Sequence, residues 1–442
     1  MPTRLTPRHQ RPYFLVCVDK HGVERREEDG SLLSERILET IRTANPPITD
    51  VFVMSHGWKG DVPAAIDQYD RWIDAMGDCT EDRALARTKR PGFTSLLIGF
   101  HWPSLPFGED DMGGNAFSTT SAGGGADAFV EQWADRIADT PAARDALRTL
   151  FAQALDDLEP DRLNAATLLA YQTLDREAAL ANGSPAAAPG ADRAGFDAQA
   201  AYLDARDDEA SFSGGIMGAL LSPLRQLSFW QMKKRARVVG ETGGHALLAA
   251  LRAAGGNALR LHLMGHSFGC IVVSSMLRGT DTSHPVRAAS VILVQGALSL
   301  WSFAKQLPDD AREAGWFRPV VDAARIEGPL VITTSKFDTA VGKLYPAAAG
   351  VAGQVAFNPA ATTFPTFGAL GTFGAQGPGT GAKLLTLTPG DRTRDLHLEP
   401  GTIYNVIADA VIKTGGGLSG AHSDIDHPEV GHLCWSAALV TA

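Results

Sequence analysis

Ser267 has the surroundings best suited to nucleophilic chemistry in this chain. It stands at the centre of GHSFG, between the apolar runs 259–264 and 271–277. A serine on a sharp turn from a strand into a helix has strained backbone angles and close neighbours, and the flanking glycines suit that setting because they lack a Cβ. The spacing therefore predicts a nucleophile elbow that lifts the Ser267 hydroxyl above the edge of a sheet.

A serine hydroxyl attacks a carbonyl readily when a base takes its proton and an acid orients that base. We expect Asp338 to be the acid, because it follows the apolar run 329–334 in TTSKFD, where a turn would leave its carboxylate above the sheet. We expect His422 to be the base, because it lies in the Gly-rich loop GAHSD shortly after the last predicted strand. The three residues form a predicted triad in the chain order serine, acid, histidine.

Other interpretations of these residues stay open. Asp338 also suits the N-cap of a helix that begins at Thr339. The weaker candidates for the acid are Asp322, Asp424 and Asp426, and those for the base are His427 and His432. The first aspartate precedes the strand, and the other two lie close in sequence to the histidine that they would orient. The segment PEVGHLCW favours a helix start, which predicts a packing role for His432.

A tetrahedral intermediate needs two backbone N–H groups that bind its oxyanion. The first is expected to be the N–H of Phe268, where the chain enters the helix after the elbow. The sequence HGW follows the predicted strand 50–55, and its glycine would let the chain approach a substrate, so the N–H of Trp58 is the second candidate. The alternative is a simple turn with Trp58 in the core.

Short apolar strands that alternate with helices must position these residues. Seven runs rich in β-branched residues predict strands at 13–18, 50–55, 95–101, 259–264, 290–295, 329–334 and 402–407. Apolar residues at helical spacing predict helices over 63–76 and 242–254. The alternation is typical of a doubly wound, mostly parallel α/β sheet, which binds ligands at the carboxyl ends of its strands.

Two segments interrupt this alternation. Residues 103–229 open with the Gly-rich stretch 108–125 and continue with apolar residues at helical spacing, which predicts a helical cap. Residues 346–400 are predicted to be a loop-rich insertion that covers the site or is a surface loop without substrate contact. The core is therefore expected in three parts: 1–102, 230–345 with the elbow, and 401–442 with the catalytic histidine.

Composition agrees with a globular enzyme. The chain has 442 residues, of which 44% are hydrophobic, so it can bury a large core. Its net charge of -10 argues against nucleic acid as a partner. The four cysteines are far apart, which predicts neither disulfides nor a zinc site. Because the N-terminal segment lacks an apolar region and no apolar run reaches the length of a membrane span, we expect a cytoplasmic protein without a signal peptide.

Several motifs together resemble the α/β-hydrolase superfamily of serine hydrolases. They are HGW after one strand, GFHWPS after the next, GHSFG at the elbow, an aspartate after a later strand and a histidine in a terminal loop. The stretches QMKKRARVVGETG, VQGALS, EGPLVITTSKFDTAVG and GAHSDI are similar to a group of bacterial α/β-hydrolases. The resemblance covers most of the chain outside the insertions and implies the hydrolase fold. The large insertion follows the strand that ends at His101, whereas the commonest pattern of the superfamily places it after the strand that follows the elbow helix. Its position therefore indicates no substrate class.

The expected reaction is hydrolysis of a carboxylic ester through an acyl-enzyme, with a small-molecule or lipid-like acyl substrate and no cofactor. Esters are favoured because no pattern indicates a charged specificity pocket and the insertions are rich in apolar residues. A serine peptidase or amidase of the same fold is an alternative. A hydrolase-fold protein that binds without turnover is another.

Two further hypotheses concern a metal and a membrane. The tail HSDIDHPEVGH contains imidazoles and carboxylates that metals bind, although metallo-hydrolases usually gather their ligands from several strand ends. No metal site is therefore expected. The run 216–237, apolar and then basic, would suit contact with a membrane surface, but Pro223 interrupts it and a core-facing helix is favoured.

Overall fold

The computed structural model describes residues 3–58, 61–104, 125–156, 160–180, 183–207, 221–280, 285–308, 310–344, 364–416 and 419–441. Within them the chain forms an α/β structure around one nine-stranded sheet. The strands are β1 Thr3–Leu5, β2 Pro12–Cys17, β3 Asp50–Ser55, β4 Ser95–His101, β5 Arg260–His266, β6 Ser290–Val294, β7 Leu330–Thr334, β8 Lys383–Thr386 and β9 Ile403–Ile407.

The sheet is mostly parallel. Its strand order is β1-β2-β4-β3-β5-β6-β7-β9-β8. Only the edge pair β1 and β2 is antiparallel, and the other neighbours run parallel. The carboxyl ends of β3, β5, β6 and β7 therefore meet at the same edge of the sheet. This arrangement confirms the predicted α/β class with a mostly parallel sheet and is compatible with a doubly wound topology.

All seven predicted strands are present, with ends that differ by at most two residues. β1 and β8 were not predicted. The residues of β1 are exposed, and β8 shows little alternation of buried and exposed residues, since Leu384 is 54% exposed. Neither strand therefore has the buried apolar pattern by which a strand is recognised in a sequence. β8 lies within the predicted insertion 346–400 and forms an edge of the sheet, where it pairs with β9.

Helices connect the strands. They are α1 Leu33–Thr43, α2 Val62–Asp78, α3 Thr80–Lys89, α4 Gly125–Ile137, α5 Pro141–Asp156, α6 Ala165–Glu177, α7 Ala198–Asp207, α8 Ser222–Val239, α9 His245–Gly255, α10 Gly269–Arg278, α11 Arg318–Asp322, α12 Leu370–Phe373 and α13 Pro428–Ala438. The helix predicted over 242–254 begins instead as a π-helical turn, Gly240–Gly244. A Cβ on Gly243 would lie 1.9 Å from the Gly22 carbonyl oxygen, so this turn packs too closely for other residues.

The core of the sheet is buried on both faces. On one face Phe52, Met54 and Met264 pack with Trp72 of α2 and Trp435 of α13. The residues that alternate with them in β3 and β5, including Val53 and Leu263, point the opposite way and are fully buried as well. A strand with two buried faces reads as a continuous apolar run, which is why β3 and β5 were recognised from the sequence.

The chain divides into two compact units. The first comprises Met1–Leu105, Arg235–Tyr345 and Gln354–Ala442 and contains the sheet; the second comprises Pro106–Lys234 and Pro346–Gly353. The described part of the second unit is mainly helical. Its buried apolar residues include Trp133, Leu150 and Tyr171, and its buried Lys233 ammonium donates to Asp192 at 2.6 Å.

Some expectations fall on residues outside the described ranges. They include most of the Gly-rich stretch 108–125, residues 346–363 of the second insertion and residues 216–220 of the run considered for membrane contact. None of the helices in the described ranges combines the length and the hydropathy that a membrane span needs.

Candidate active site

Ser267 lies on a strained turn between β5 and α10. Its φ is +56°, a left-handed conformation that residues other than glycine rarely adopt. The surrounding backbone holds it there: the N–H of Ser267 donates to the Val294 carbonyl at 3.1 Å, and its carbonyl accepts from the N–H groups of Cys270 and Ala297. Strain that neighbours maintain in this way is common at functional sites.

The two glycines of GHSFG are required by close backbone contacts. A Cβ on Gly269 would lie 2.1 Å from the Ser55 carbonyl oxygen, and one on Gly265 would lie 2.5 Å from the Gly269 carbonyl oxygen. Both distances are far shorter than any van der Waals contact. The structure thus contains the strand, strained serine and helix of the predicted elbow.

Asp338 and His422 form a buried hydrogen-bonded pair. The Nδ1 of His422 lies 2.7 Å from Oδ2 of Asp338, whose carboxylate is fully buried. Two contacts hold their loops together: the N–H of Ala421 donates to the Phe337 carbonyl at 2.9 Å, and Asp338 forms an isolated antiparallel bridge with Gly420. The carboxylate fixes the proton on Nδ1, which leaves Nε2 able to accept another.

Gln295 also supports the Asp338 carboxylate. Its Nε2 donates to the same Oδ2 at 2.9 Å, while its Oε1 accepts from the Thr333 hydroxyl at 3.1 Å. The N–H of Val341 donates to Oδ1 at 3.2 Å. Three donors therefore converge on the two oxygens of this carboxylate.

His266 connects the Asp338 and His422 pair to the elbow. Its Nε2 donates to the carbonyl oxygen of His422 at 2.8 Å, and the centroids of the two rings are 4.7 Å apart. Because His266 directly precedes Ser267, the structure brings Ser267, Asp338 and His422 to the carboxyl end of the sheet. The Ser267 side chain is 5% exposed and forms no hydrogen bond within the described ranges.

The HGW segment passes directly over the elbow. A Cβ on Gly57 would lie only 2.8 Å from Cβ of Ser267, so this glycine allows the close approach. The ring of Trp58 stacks on that of Phe268, with centroids 5.6 Å apart. The structure thus places both residues predicted for the oxyanion hole beside Ser267.

Two donors set the orientation of the Gly57–Trp58 peptide. Nδ1 of His56 lies 2.8 Å from the Gly57 carbonyl oxygen, and the Ser104 hydroxyl donates to the same oxygen at 3.1 Å. The N–H of a trans peptide points opposite to its carbonyl. The N–H of Trp58 is therefore directed away from His56 and Ser104.

Burial keeps the histidines behind this peptide neutral. Loss of solvation, with the neighbouring His101, lowers the pKa of His56 to about 3, and burial likewise lowers the pKa of His101 to about 4. Since neutral His56 carries its proton on Nδ1, its Nε2 accepts from Nδ1 of His101 at 3.0 Å. One directed chain of hydrogen bonds runs from His101 through His56 to the Gly57 carbonyl.

The competing candidates are engaged elsewhere. Asp424 accepts from the N–H groups of Lys413 and Thr414, and His427 binds the same carboxylate at 2.9 Å. Asp426 pairs with Arg71 and Asp322 with Arg318. His432 lies in α13 and contacts Asp82 at 2.8 Å; burial opposes its charge, but this contact and the Arg394 carbonyl raise its pKa.

Among the described residues, no three His, Cys, Asp or Glu side chains are grouped as metal ligands.

A second serine, histidine and aspartate series lies at the opposite end of the sheet. His262 contacts the Ser290 hydroxyl at 2.8 Å and Asp50 at 2.9 Å, and Arg90 pairs with the same aspartate. Ser290 begins β6, Asp50 begins β3, and none of the three is more than 1% exposed. This series joins the amino ends of the strands and has neither a strained serine nor access for a substrate.

Four residues of the site were not predicted from the sequence: His101, Ser104, His266 and Gln295. Three of them stand in the quoted motifs GFHWPS and GHSFG, and the glutamine is the second residue of VQGALS, with a φ of +49°. Their roles depend on contacts that the local pattern does not show.

No model of a known protein family matches the chain, and comparison with curated proteins and with solved structures found no significant match.

Proposed function

We propose that the chain is a serine hydrolase of the α/β-hydrolase fold that cleaves carboxylic esters. The observation that carries this proposal is the buried hydrogen bond of 2.7 Å between His422 and Asp338, next to a serine with a φ of +56°. The parallel sheet, the elbow after β5 and the HGW turn after β3 support the same fold, in which the second oxyanion N–H comes from the loop after an early strand.

In the proposed mechanism, Ser267 Oγ attacks the ester carbonyl carbon and its proton passes to Nε2 of His422. Asp338 stabilises the resulting imidazolium. The N–H groups of Trp58 and Phe268 bind the oxyanion. The intermediate then collapses, and the alcohol leaves with the proton from His422. Water attacks the acyl-enzyme by the same route, which releases the acid and regenerates the serine.

The Ser267 hydroxyl lacks a hydrogen bond within the described chain, and this fits the proposal because catalytic contacts often tighten only when substrate binds. The aromatic rings of Trp58 and Phe268 give the surroundings of the serine an apolar character. An apolar surface favours an uncharged acyl group over a charged peptide. We therefore place esters, including lipid-like ones, ahead of the peptidase or amidase alternative.

The proposal is tested by steady-state hydrolysis of matched aryl esters and anilides that carry the same acyl group. We expect ester turnover that survives treatment with a chelator and that disappears in Ser267→Ala. Ser274→Ala, which changes another buried serine in α10, is the matched control and should keep activity. Turnover that persists in Ser267→Ala, or that a chelator removes, would contradict it. A folded wild-type protein with no turnover of any ester or amide would favour the binding protein.

A further inference from the structure

Three arginines surround one cavity at the amino end of β4. The cavity has a volume of about 220 Å³ and is lined by Arg11, Arg83 and Arg87, with Phe93 and Trp435 on its apolar side. It lies near Ser95, the first residue of β4, and therefore far along the strands from the carboxyl ends where Ser267 lies. The cavity is thus separate from the proposed active site.

The protein provides little direct compensation for the positive charges of this cavity. None of the three arginines forms an ion pair with a carboxylate in the described part of the chain. Nε of Arg11 is buried without a hydrogen-bond partner, and Arg83 reaches only the Gly77 carbonyl, at 3.5 Å. The carboxylate that attracts Arg11, Asp74, already accepts from the backbone N–H groups of Arg8 and His9.

The three guanidinium groups also repel one another. Arg83 and Arg87 are four residues apart on α3, so they share one face of the helix, where like charges are unfavourable. Burial is the main cause that lowers the pKa of Arg11, and the charge of Arg87 lowers it further. Burial also lowers the pKa of Arg83, and the charges of Arg11 and Arg87 add to this effect. The residues that line the cavity include no aspartate or glutamate, although the protein has 50 acidic residues and a net charge of -10.

We propose that this cavity binds a small phosphomonoester-like dianion that carries a compact apolar group. Guanidinium groups recognise phosphate oxygens through paired N–H donors. A dianion matches three converging arginines better than a monoanion does. Phe93, Leu97 and Trp435 provide an apolar wall for the substituent. The volume is below the roughly 300–1,000 Å³ of sites for drug-sized ligands, which indicates a small ligand.

Calorimetric titration of the full-length protein with phenyl phosphate, in phosphate-free buffer of low ionic strength, tests this site. Inorganic phosphate, phenylacetate and phenol are the comparison ligands. We expect saturable binding of one phenyl phosphate, weaker binding of inorganic phosphate and of phenylacetate, and none of phenol. A charge-assisted hydrogen bond contributes about 1.5–3 kcal/mol, so Arg83→Gln should weaken binding at least about tenfold. Arg36→Gln, which changes an exposed arginine of α1, should leave binding unchanged.

A second measurement keeps the test independent of folding defects. Because Arg87 repels its neighbours, Arg87→Gln should raise the melting temperature without ligand and should reduce the further rise that phenyl phosphate causes. No saturable binding, or equal binding by the Arg83→Gln and Arg36→Gln variants, would overturn the proposal. Inorganic phosphate that binds as tightly as phenyl phosphate would overturn the assignment of an apolar substituent.

Discussion

Replacing Asp338 by asparagine tests how the buried carboxylate acts, because the amide keeps its shape and removes its charge. His422 and Gln295 both donate to Oδ2, and Val341 donates to Oδ1. An amide has one acceptor and one donor group, so its oxygen should occupy the position where two donors meet. In that orientation His422 keeps its proton on Nδ1, and its Nε2 can still accept the proton of Ser267.

The expected loss is then mainly that of the charge. A carboxylate about 4 Å from an imidazolium contributes about 4 kcal/mol at an effective dielectric constant of 20, which corresponds to roughly 10³ in rate. We therefore expect Asp338→Asn to lower kcat/KM about 10³-fold, with a modest loss of stability because the new NH₂ faces the N–H of Val341. A flipped amide would impose the wrong tautomer on His422, and the loss would approach 10⁴.

Gln295→Met provides the decisive second variant, since it removes the donor that holds the amide oxygen toward His422. In the Asp338→Asn background the amide can then flip and bind Val341 instead. We expect a further loss of at least about tenfold there, and less than about tenfold when Gln295→Met is made alone. A double-mutant cycle of ester hydrolysis measures both. Strictly additive losses, or near-normal turnover by Asp338→Asn, would refute the role assigned to this carboxylate.

Three more predictions concern neighbouring groups. Ser104→Ala should lower kcat several-fold to about tenfold with little change in KM, because it loosens the Gly57–Trp58 peptide that binds only the transition state; an increase in KM alone would contradict this. His422→Ala should abolish ester hydrolysis, whereas His427→Ala should retain it, as steady-state assays will show. His101 has a pKa of about 4 when folded and 6.5 when unfolded, so the unfolded chain binds more protons as the pH falls below 6.5. At pH 5 this proton uptake lowers the free energy of unfolding by about 2 kcal/mol relative to pH 7.5. His101→Gln should therefore reduce, by that amount, the decrease in the free energy of urea unfolding between pH 7.5 and pH 5. An unchanged decrease would contradict the role assigned to His101.

Local patterns were sufficient to predict the elbow and the strands around it. GHSFG lies between two apolar runs, and its glycines are required by contacts with chain only a few residues away or with β3. The central strands β3 and β5 are buried on both faces, so they appear as continuous apolar runs. The exposed strands β1 and β8 lack such a pattern, and only their pairing partners identify them.

The supporting residues of the site could not be predicted in the same way. Gln295 is 43 residues from Asp338, and Ser104 is 47 residues from Gly57, so their roles appear only when the strand ends meet. The series of Ser290, His262 and Asp50 shows the converse. It satisfies the hydrogen-bond pattern of a triad but joins the buried amino ends of three strands.

Covalent labelling of Ser267 tests the central claim most directly. The full-length protein is treated with a fluorophosphonate, its intact mass is measured, and the modified residue is located by peptide sequencing. We expect one adduct per chain, carried by Ser267, that is absent from Ser267→Ala and greatly slowed in His422→Ala, while Ser274→Ala labels normally. No adduct on the folded wild-type protein, or an undiminished adduct on Ser267→Ala, would contradict a nucleophilic role for Ser267.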